Sequence, residues 1–413
     1  MYHRVFHAVS RRLRQDCWDH NAPSVALMEC GIGVWTMADT RTKTLLLAAS
    51  LSVMMTVVAC SPGGEAARPG ASEVDSSEAQ ASSPTLAETT DELILRARDF
   101  LEPVPVEAPA IEGVTSSPEL IKLGQTLFFD PRLSATHSIS CASCHYPGLG
   151  GADNSPFSAG FHGERGGRNA PTVYNAVFNF VQFWDGRAKD LVEQAGGPLV
   201  NPVEMASPQP HVTEQLLALP GYSPMFAKAF PGETDAVTLE NAQKAIAGFE
   251  ATLITPNAPF DQFLRGDAGA LTPDQKAGLT LFIDTGCIAC HSGVNLGGTM
   301  YQKFGVFSEP GPVYLPPDDK GRGAITGNAA EDYFFKVPTL RNIVETAPYF
   351  HSGSEPDLKR AVAVMGEVQL GQTLSPEEVD QITAFLGSLT GDQPELVIPL
   401  LPVSDAKSPP PDK

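Results

Sequence analysis

Two short segments of this sequence have the residue types and spacing to do redox chemistry. Cys141-Ala142-Ser143-Cys144-His145 and Cys287-Ile288-Ala289-Cys290-His291 are both C-x-x-C-H. Two thiols three positions apart reach the two vinyl groups of one haem, and the adjoining imidazole is offered to the iron as proximal ligand. A zinc site would want further paired Cys or His ligands, and a thiol redox pair has no need of the following histidine. The sequence therefore predicts two covalently attached haem c groups. Cys141, Cys144 and His145 hold one; Cys287, Cys290 and His291 hold the other. Each iron has a second axial position. Candidates for it are His137, His162, His211 and His351, and Met205, Met225, Met300 and Met365. A Met ligand beside His raises a haem's potential, whereas a second His lowers it. Composition alone does not choose among these candidates.

The elements that position the motifs are partly visible. The motifs lie 146 residues apart, from Cys141 to Cys287. Each has room for its own small, mostly helical domain. Pro118 to Phe128 is helix-patterned and precedes the first motif; Thr272 to Phe282 precedes the second, with Thr272 as N-cap and Pro273 at the first helical position. Both segments contain Gly-x-x-Leu-Phe, at Gly124–Phe128 and Gly278–Phe282. This internal repeat supports two haem domains of similar build.

Length and composition agree. A chain of 413 residues exceeds the usual single-domain size. Its 37 Gly and 36 Pro point to long loops, while 42% hydrophobic residues still supply a core. The expected fold class is mainly α, two cytochrome c-like haem domains with long loops and little β structure. A net charge of −20 lacks the basic footprint of a nucleic-acid binder, so no nucleic acid is expected as partner.

The N-terminal region reads as a targeting segment. Residues 45–59 form a 15-residue apolar run behind Arg41 and Lys43, too short to span a bilayer with ease. Val57-Val58-Ala59-Cys60 ends it like a lipobox, so Cys60 is the expected site of cleavage and lipidation. Translation is expected to start at Met37, with 1–36 upstream. Without 1–59 the chain loses six basic and four acidic residues and carries −22. Residues 60–92 are a flexible tether of Ser, Ala, Glu, Pro and Thr. The seven cysteines then divide as four on haem, Cys60 on lipid, and Cys17 and Cys30 in the leader, with none left for a disulfide.

The body resembles the bacterial di-haem cytochrome c peroxidase family. The resemblance rests on Phe128-Phe129-Asp130-Pro131-Arg132-Leu133-Ser134, Arg168-Asn169-Ala170-Pro171-Thr172, Phe183-Trp184-Asp185-Gly186-Arg187 and Asn201-Pro202-Val203-Glu204-Met205. It rests also on Lys336 to Asn342 and Ala347 to Gly353, and it covers about 110–392. It implies a peroxidatic haem domain over 93–254, an electron-transfer haem domain over 255–391, and a tail at 392–413 that returns to the first. Residues 1–59 are leader and lipoprotein signal peptide.

By this resemblance His162, on a Gly-rich loop, is the second ligand of the first haem, and Met365 that of the second. Relatives that oxidise a protein tryptophan to a quinone carry Tyr in place of Met365, so Met365 argues against that branch. Glu204 is implied as acid/base toward hydrogen peroxide, Gln194 as its helper, and Trp184 as an aromatic between the haems. Asn169, through side chain or carbonyl, and the carbonyls of Thr346 and Pro348 are implied ligands of a Ca²⁺ ion. Implied partners are hydrogen peroxide and a small c-type cytochrome or blue copper protein as donor. A periplasmic body, anchored to the membrane through Cys60, and a homodimer complete the expectation.

Overall fold

The computed structural model describes residues 88–412. Cys60, the signal peptide and the tether up to residue 87 lie outside the described residues. Helices dominate. In chain order they are α1 (Thr90–Arg98), α2 (Pro118–Phe129), α3 (Cys141–Cys144), α4 (Leu191–Val200), α5 (Gln209–Ala218), α6 (Tyr222–Ala229) and α7 (Leu239–Glu250). There follow α8 (Pro259–Leu264), α9 (Pro273–Asp284), α10 (Arg322–Thr326), α11 (Leu358–Leu370) and α12 (Pro376–Gly387). Among the described residues the regular sheet is one antiparallel pair, β1 (Tyr301–Lys303) with β2 (Phe334–Lys336), with Gln302 opposite Phe335. Long loops fill the rest, as the Gly and Pro content foretold. No helix among the described residues is long and apolar enough to cross a membrane.

The repeat seen in sequence is a repeat of packing. Ser117 caps α2 by accepting from Leu120 N, and Thr272 caps α9 by accepting from Gln275 N, each with Pro at the first helical position. Gly124 of α2 lies so close to α7 that a Cβ there would collide with the carbonyl of Ala245. Gly278 of α9 is pressed against the Gln381 carbonyl of α12 in the same way. Four residues beyond each glycine a phenylalanine meets an aromatic edge from the partner helix. Phe128 faces Phe249 at 5.3 Å between centroids, and Phe282 faces Phe385 at 5.2 Å. The common Gly-x-x-Leu-Phe is thus a helix-crossing device used twice, glycine for close approach and phenylalanine to fill the adjoining core.

Two hydrophobic cores surround these crossings. Leu123, Leu127, Phe128, Tyr222, Phe226, Phe249 and Leu253 belong to the first; Phe260, Phe263, Leu279, Phe282, Phe385 and Leu386 belong to the second. Helix α1 crosses the linear order: its Leu93, Ile94 and Ala97 are buried in the second core, although they precede the first motif. Its apolar face finds Phe260 and Phe263 there. The C-terminal tail runs the other way. Gln125 Nε2 donates to Val397 O at 3.0 Å, and Asp412 N donates to Ala135 O at 2.8 Å.

Candidate functional site

The second C-x-x-C-H enters through Gly286, whose φ of +98° a side chain would resist. Cys287 to Ala289 form a 3₁₀ turn, and His291 N closes it on Cys287 O at 3.0 Å. His291 Nδ1 lies 2.9 Å from Leu296 O. With its proton on that nitrogen, Nε2 keeps a lone pair for a metal. Burial lowers the His291 pKa, which favours the neutral ligand form. Arg341, fully buried, holds the following loop by donating Nε to Val294 O at 2.9 Å.

A cavity of about 370 Å³ opens at this motif. Cys287, Cys290, His291 and Met365 all line it, with Phe282, Phe304 and Phe335 among its apolar walls. Among the described residues the four motif cysteines are unbridged, and no three His, Cys, Asp or Glu side chains gather as a metal cluster. Two thiols, one imidazole and one thioether around an apolar cavity are the donor set of haem c with His/Met ligation, so the residues fit that group.

The first motif is helix α3 itself. His145 ends it, donating N–H to Cys141 O at 2.9 Å. Its Nδ1 is buried without a hydrogen-bond partner, and burial lowers its pKa. Cys141 is wedged against the first core, and burial pushes its thiol up, away from the free thiolate. A thioether would suit this apolar position better than a thiol that can seldom ionise.

His162 sits in the turn Phe161–Gly163 with φ +52°, exposed, its ring 4.0 Å from that of Phe161. The loop is closed by the Ala159–Arg165 bridge and by Gly160 N donating to Glu164 O at 2.7 Å. It is seated directly on the segment that carries Glu204. Phe161 N donates to Glu204 O at 2.8 Å, and a Cβ on Gly160 would collide with Val203 O. Glu204 is half-buried. Burial raises its pKa, against Arg187 and a 2.8 Å hydrogen bond from Asn201 Nδ2. Gln194 lies in the middle of α4, half-buried, and the end of that helix hands the chain to Glu204 through Met205 N to Pro198 O at 3.2 Å. Among the described residues no side-chain hydrogen bond joins Gln194 to Glu204.

Trp184 links the two halves. Its Nε1 donates to Asn169 O at 2.9 Å, its carbonyl accepts from Lys336 N at 2.7 Å, and its ring lies 6.1 Å from that of His351. Asn169 N in turn donates to His351 O at 2.8 Å. Asn169, Thr346 and Pro348 line the same cavity as Trp184. With the Asn169 carbonyl accepting from Trp184 and its Nδ2 donating to Ser155 O at 2.8 Å, Oδ1 is its remaining oxygen.

A charged knot beside Trp184 was only partly marked in the sequence. Arg168 binds Asp185 at 2.6 Å and Asp319 at 2.6 Å. His351 Nε2 stands 3.8 Å from Asp319 Oδ2, and its ring stacks on Phe335 at 4.1 Å. Burial pushes His351 down to about 4, the Asp319 carboxylate opposing, and pushes the buried Lys336 down to about 8. Arg168 and Asp185 lie in motifs noted above, but Asp319 stands 151 residues from Arg168 in an unmarked loop.

Comparison with known proteins places this geometry. The family model described as di-haem cytochrome c peroxidase matches residues 118–269, and that described as cytochrome c matches 275–390. Cytochrome c551 peroxidase of Pseudomonas aeruginosa is 50% identical over 321 residues, 78% of this chain and 93% of that one. Cytochrome c551 peroxidase of Nitrosomonas europaea is 45% identical, covering 76% of this chain and 91% of that one. Among solved structures, a MauG-like protein associated with microbial copper homeostasis superposes with a TM-score of 0.61 at 26% identity, over 70% of this chain and 93% of that one.

Proposed function

The chain belongs to the di-haem cytochrome c peroxidase family and is a haem peroxidase, and from that premise we propose that it reduces hydrogen peroxide to water in the periplasm. A small c-type cytochrome or blue copper protein is the electron donor. Two haem c groups would be held by Cys141, Cys144 and His145 and by Cys287, Cys290 and His291; when bound, they supply the redox-active iron. Met365 would be the second ligand at the C-terminal site, and His162 the movable one at the N-terminal site.

The observation that carries the reading is the seating of the His162 loop on Glu204. The bond from Phe161 N–H to the Glu204 backbone carbonyl seats the loop of a displaceable imidazole on the residue that carries a half-buried carboxyl. Glu204 takes the proton from the near oxygen of peroxide and returns it to the departing oxygen. Its burial, which raises its pKa, suits a group that must both accept and give up a proton near neutrality. Asn201 orients the carboxyl through its 2.8 Å hydrogen bond. Gln194 on α4 steadies peroxide, and Trp184 provides a polarizable ring between the halves. Ca²⁺ binds at Asn169 Oδ1 and the carbonyls of Thr346 and Pro348, hard oxygen donors from both halves. The body is tethered to the membrane through lipidated Cys60 and works as a homodimer.

The test is stopped-flow oxidation of a reduced small c-type cytochrome by hydrogen peroxide. Glu204→Gln should slow peroxide turnover by roughly 100- to 10,000-fold with both haem absorption spectra intact. An unchanged rate would remove Glu204 from the chemistry.

A further inference from the structure

We propose that Thr255 is the positioning residue of the haem pair: its single hydroxyl receives an equivalent side-chain amide from each half and so holds the two haem-attachment loops in one register. Thr255 lies between α7 and α8, where the chain crosses from one half to the other. Such crossings are ordinarily exposed and flexible. Here Leu253, Ile254, Thr255 and Ala258 are all buried.

Two segments grip the crossing, and they match one another. Pro171-Thr172-Val173-Tyr174-Asn175 and Pro338-Thr339-Leu340-Arg341-Asn342 both read Pro-Thr-x-x-Asn. Thr172 Oγ1 donates to Gly150 O at 2.6 Å and accepts from Tyr174 N at 3.0 Å. Thr339 Oγ1 donates to Asn295 O at 2.8 Å and accepts from Arg341 N at 3.1 Å. Gly150 follows His145 by five residues, and Asn295 follows His291 by four. Each threonine is therefore tied to the loop that leaves its own C-x-x-C-H motif. Each asparagine then takes a left-handed turn, Asn175 at φ +60° and Asn342 at φ +58°, a conformation that asparagine tolerates. A 3₁₀ turn follows both, Ala176–Phe178 and Ile343–Glu345.

The two amides meet on Thr255. Asn175 Nδ2 donates to Thr255 Oγ1 at 2.7 Å, and Asn342 Nδ2 donates to the same oxygen at 2.9 Å. The far end of each amide fixes these roles. Asn175 Oδ1 accepts from Thr255 N at 2.9 Å, and Asn342 Oδ1 accepts from Gly391 N at 3.2 Å. Each amide oxygen is thus taken by a backbone N–H, each amide nitrogen donates, and the hydroxyl uses both of its lone pairs. Asn175, Thr255 and Asn342 are wholly buried, and each of their side-chain nitrogens and oxygens has a partner. A satisfied buried network of this kind rigidifies and specifies one arrangement. Around it, Asn175 N donates to Leu253 O at 2.9 Å and Asp392 N to Pro256 O at 2.7 Å. A Cβ on Gly391 would collide with the Thr255 carbonyl, so the end of the second half is pressed onto the crossing as well. Two haems carried on separate halves need such a lock if electrons are to pass between them in one fixed geometry.

The distance between the two ferric irons of the resting holoenzyme is measured by pulsed electron paramagnetic resonance. This needs no peroxide turnover, so its outcome stands apart from the peroxidase reading. The wild type should give one narrow distance. Thr255→Val keeps the shape, removes the acceptor and leaves two buried amide N–H groups unmet. Its distance distribution should broaden or shift, with both haem absorption spectra intact. Thr255→Ser, which keeps the hydroxyl, should restore the narrow distribution. Asn342→Gly suits the positive φ and releases only the second half. It should broaden the distribution too, and it carries the test should Thr255→Val fail to load haem. A broad distribution in the wild type would overturn the proposal, as would a wild-type distribution in Thr255→Val or Asn342→Gly, or equal broadening in Thr255→Ser.

Discussion

At the scale of single residues, Met365 and His162, the proposed second ligands, sit in unlike settings. Met365 is half-buried on α11 and packs against the cluster of Phe304, Phe335 and Val364, a rigid setting for a permanent ligand. His162 is exposed on a left-handed turn, the setting of a ligand that can leave. Met365→His should lower the midpoint potential of one haem and leave the other in place, as read by spectroelectrochemical titration. His351 sets a pH limit. Its native pKa, pushed down to about 4, lies below the ordinary 6.5, so between these values the unfolded chain binds more protons. The stability this residue contributes is full above about 6.5 and is lost as pH falls toward 4. His351→Gln should flatten that part of a pH–denaturation curve. The C-x-x-C-H motifs were legible because thioether attachment demands contiguous residues. The Arg168–Asp319 pair was not, since its members come from distant loops that only the fold brings together.

At the scale of elements, the Gly-x-x-Leu-Phe repeat was legible as a repeat, but its meaning needed the partner helices. Nothing in residues 118–128 says that Ala245 will sit on Gly124, or in 272–282 that Gln381 will sit on Gly278. The obstacle at each is a backbone carbonyl, which cannot swing aside. Gly124→Ala and Gly278→Ala should each cost about 1–3 kcal/mol in chemical denaturation, in separate halves and to a similar degree. Helix α1 was harder to place. Its short amphipathic face fits either core, and sequence order favours the wrong neighbour; only contact with Phe260 and Phe263 decides it. The two short strands were below what periodicity can show, three residues each.

At the scale of the whole molecule, one set of contacts between the two halves gathers around Trp184 and another around Asn175, which receives Asn295 Nδ2 on its carbonyl at 2.9 Å. Arg168 reaches from the first half to Asp319 in the second while also neutralising Asp185. Arg168→Met leaves the largely buried Asp319 without a cation, while Asp185 keeps Arg187 at 3.0 Å. Because the guanidinium is 20% exposed, the loss should fall somewhat below the roughly 3–5 kcal/mol of a fully buried pair. Thermal unfolding would show it, with loss of coupling between the haem signals. We propose that the same knot lets reduction of the C-terminal half be felt at the His162 loop. Its most direct test is an electron paramagnetic resonance titration of the diferric enzyme with one equivalent of reductant, followed at each point by peroxide turnover. A high-spin signal from the N-terminal site should appear only after the first electron, and turnover should rise with it. Full turnover by the resting diferric enzyme, with no change of spin state on half-reduction, would contradict it.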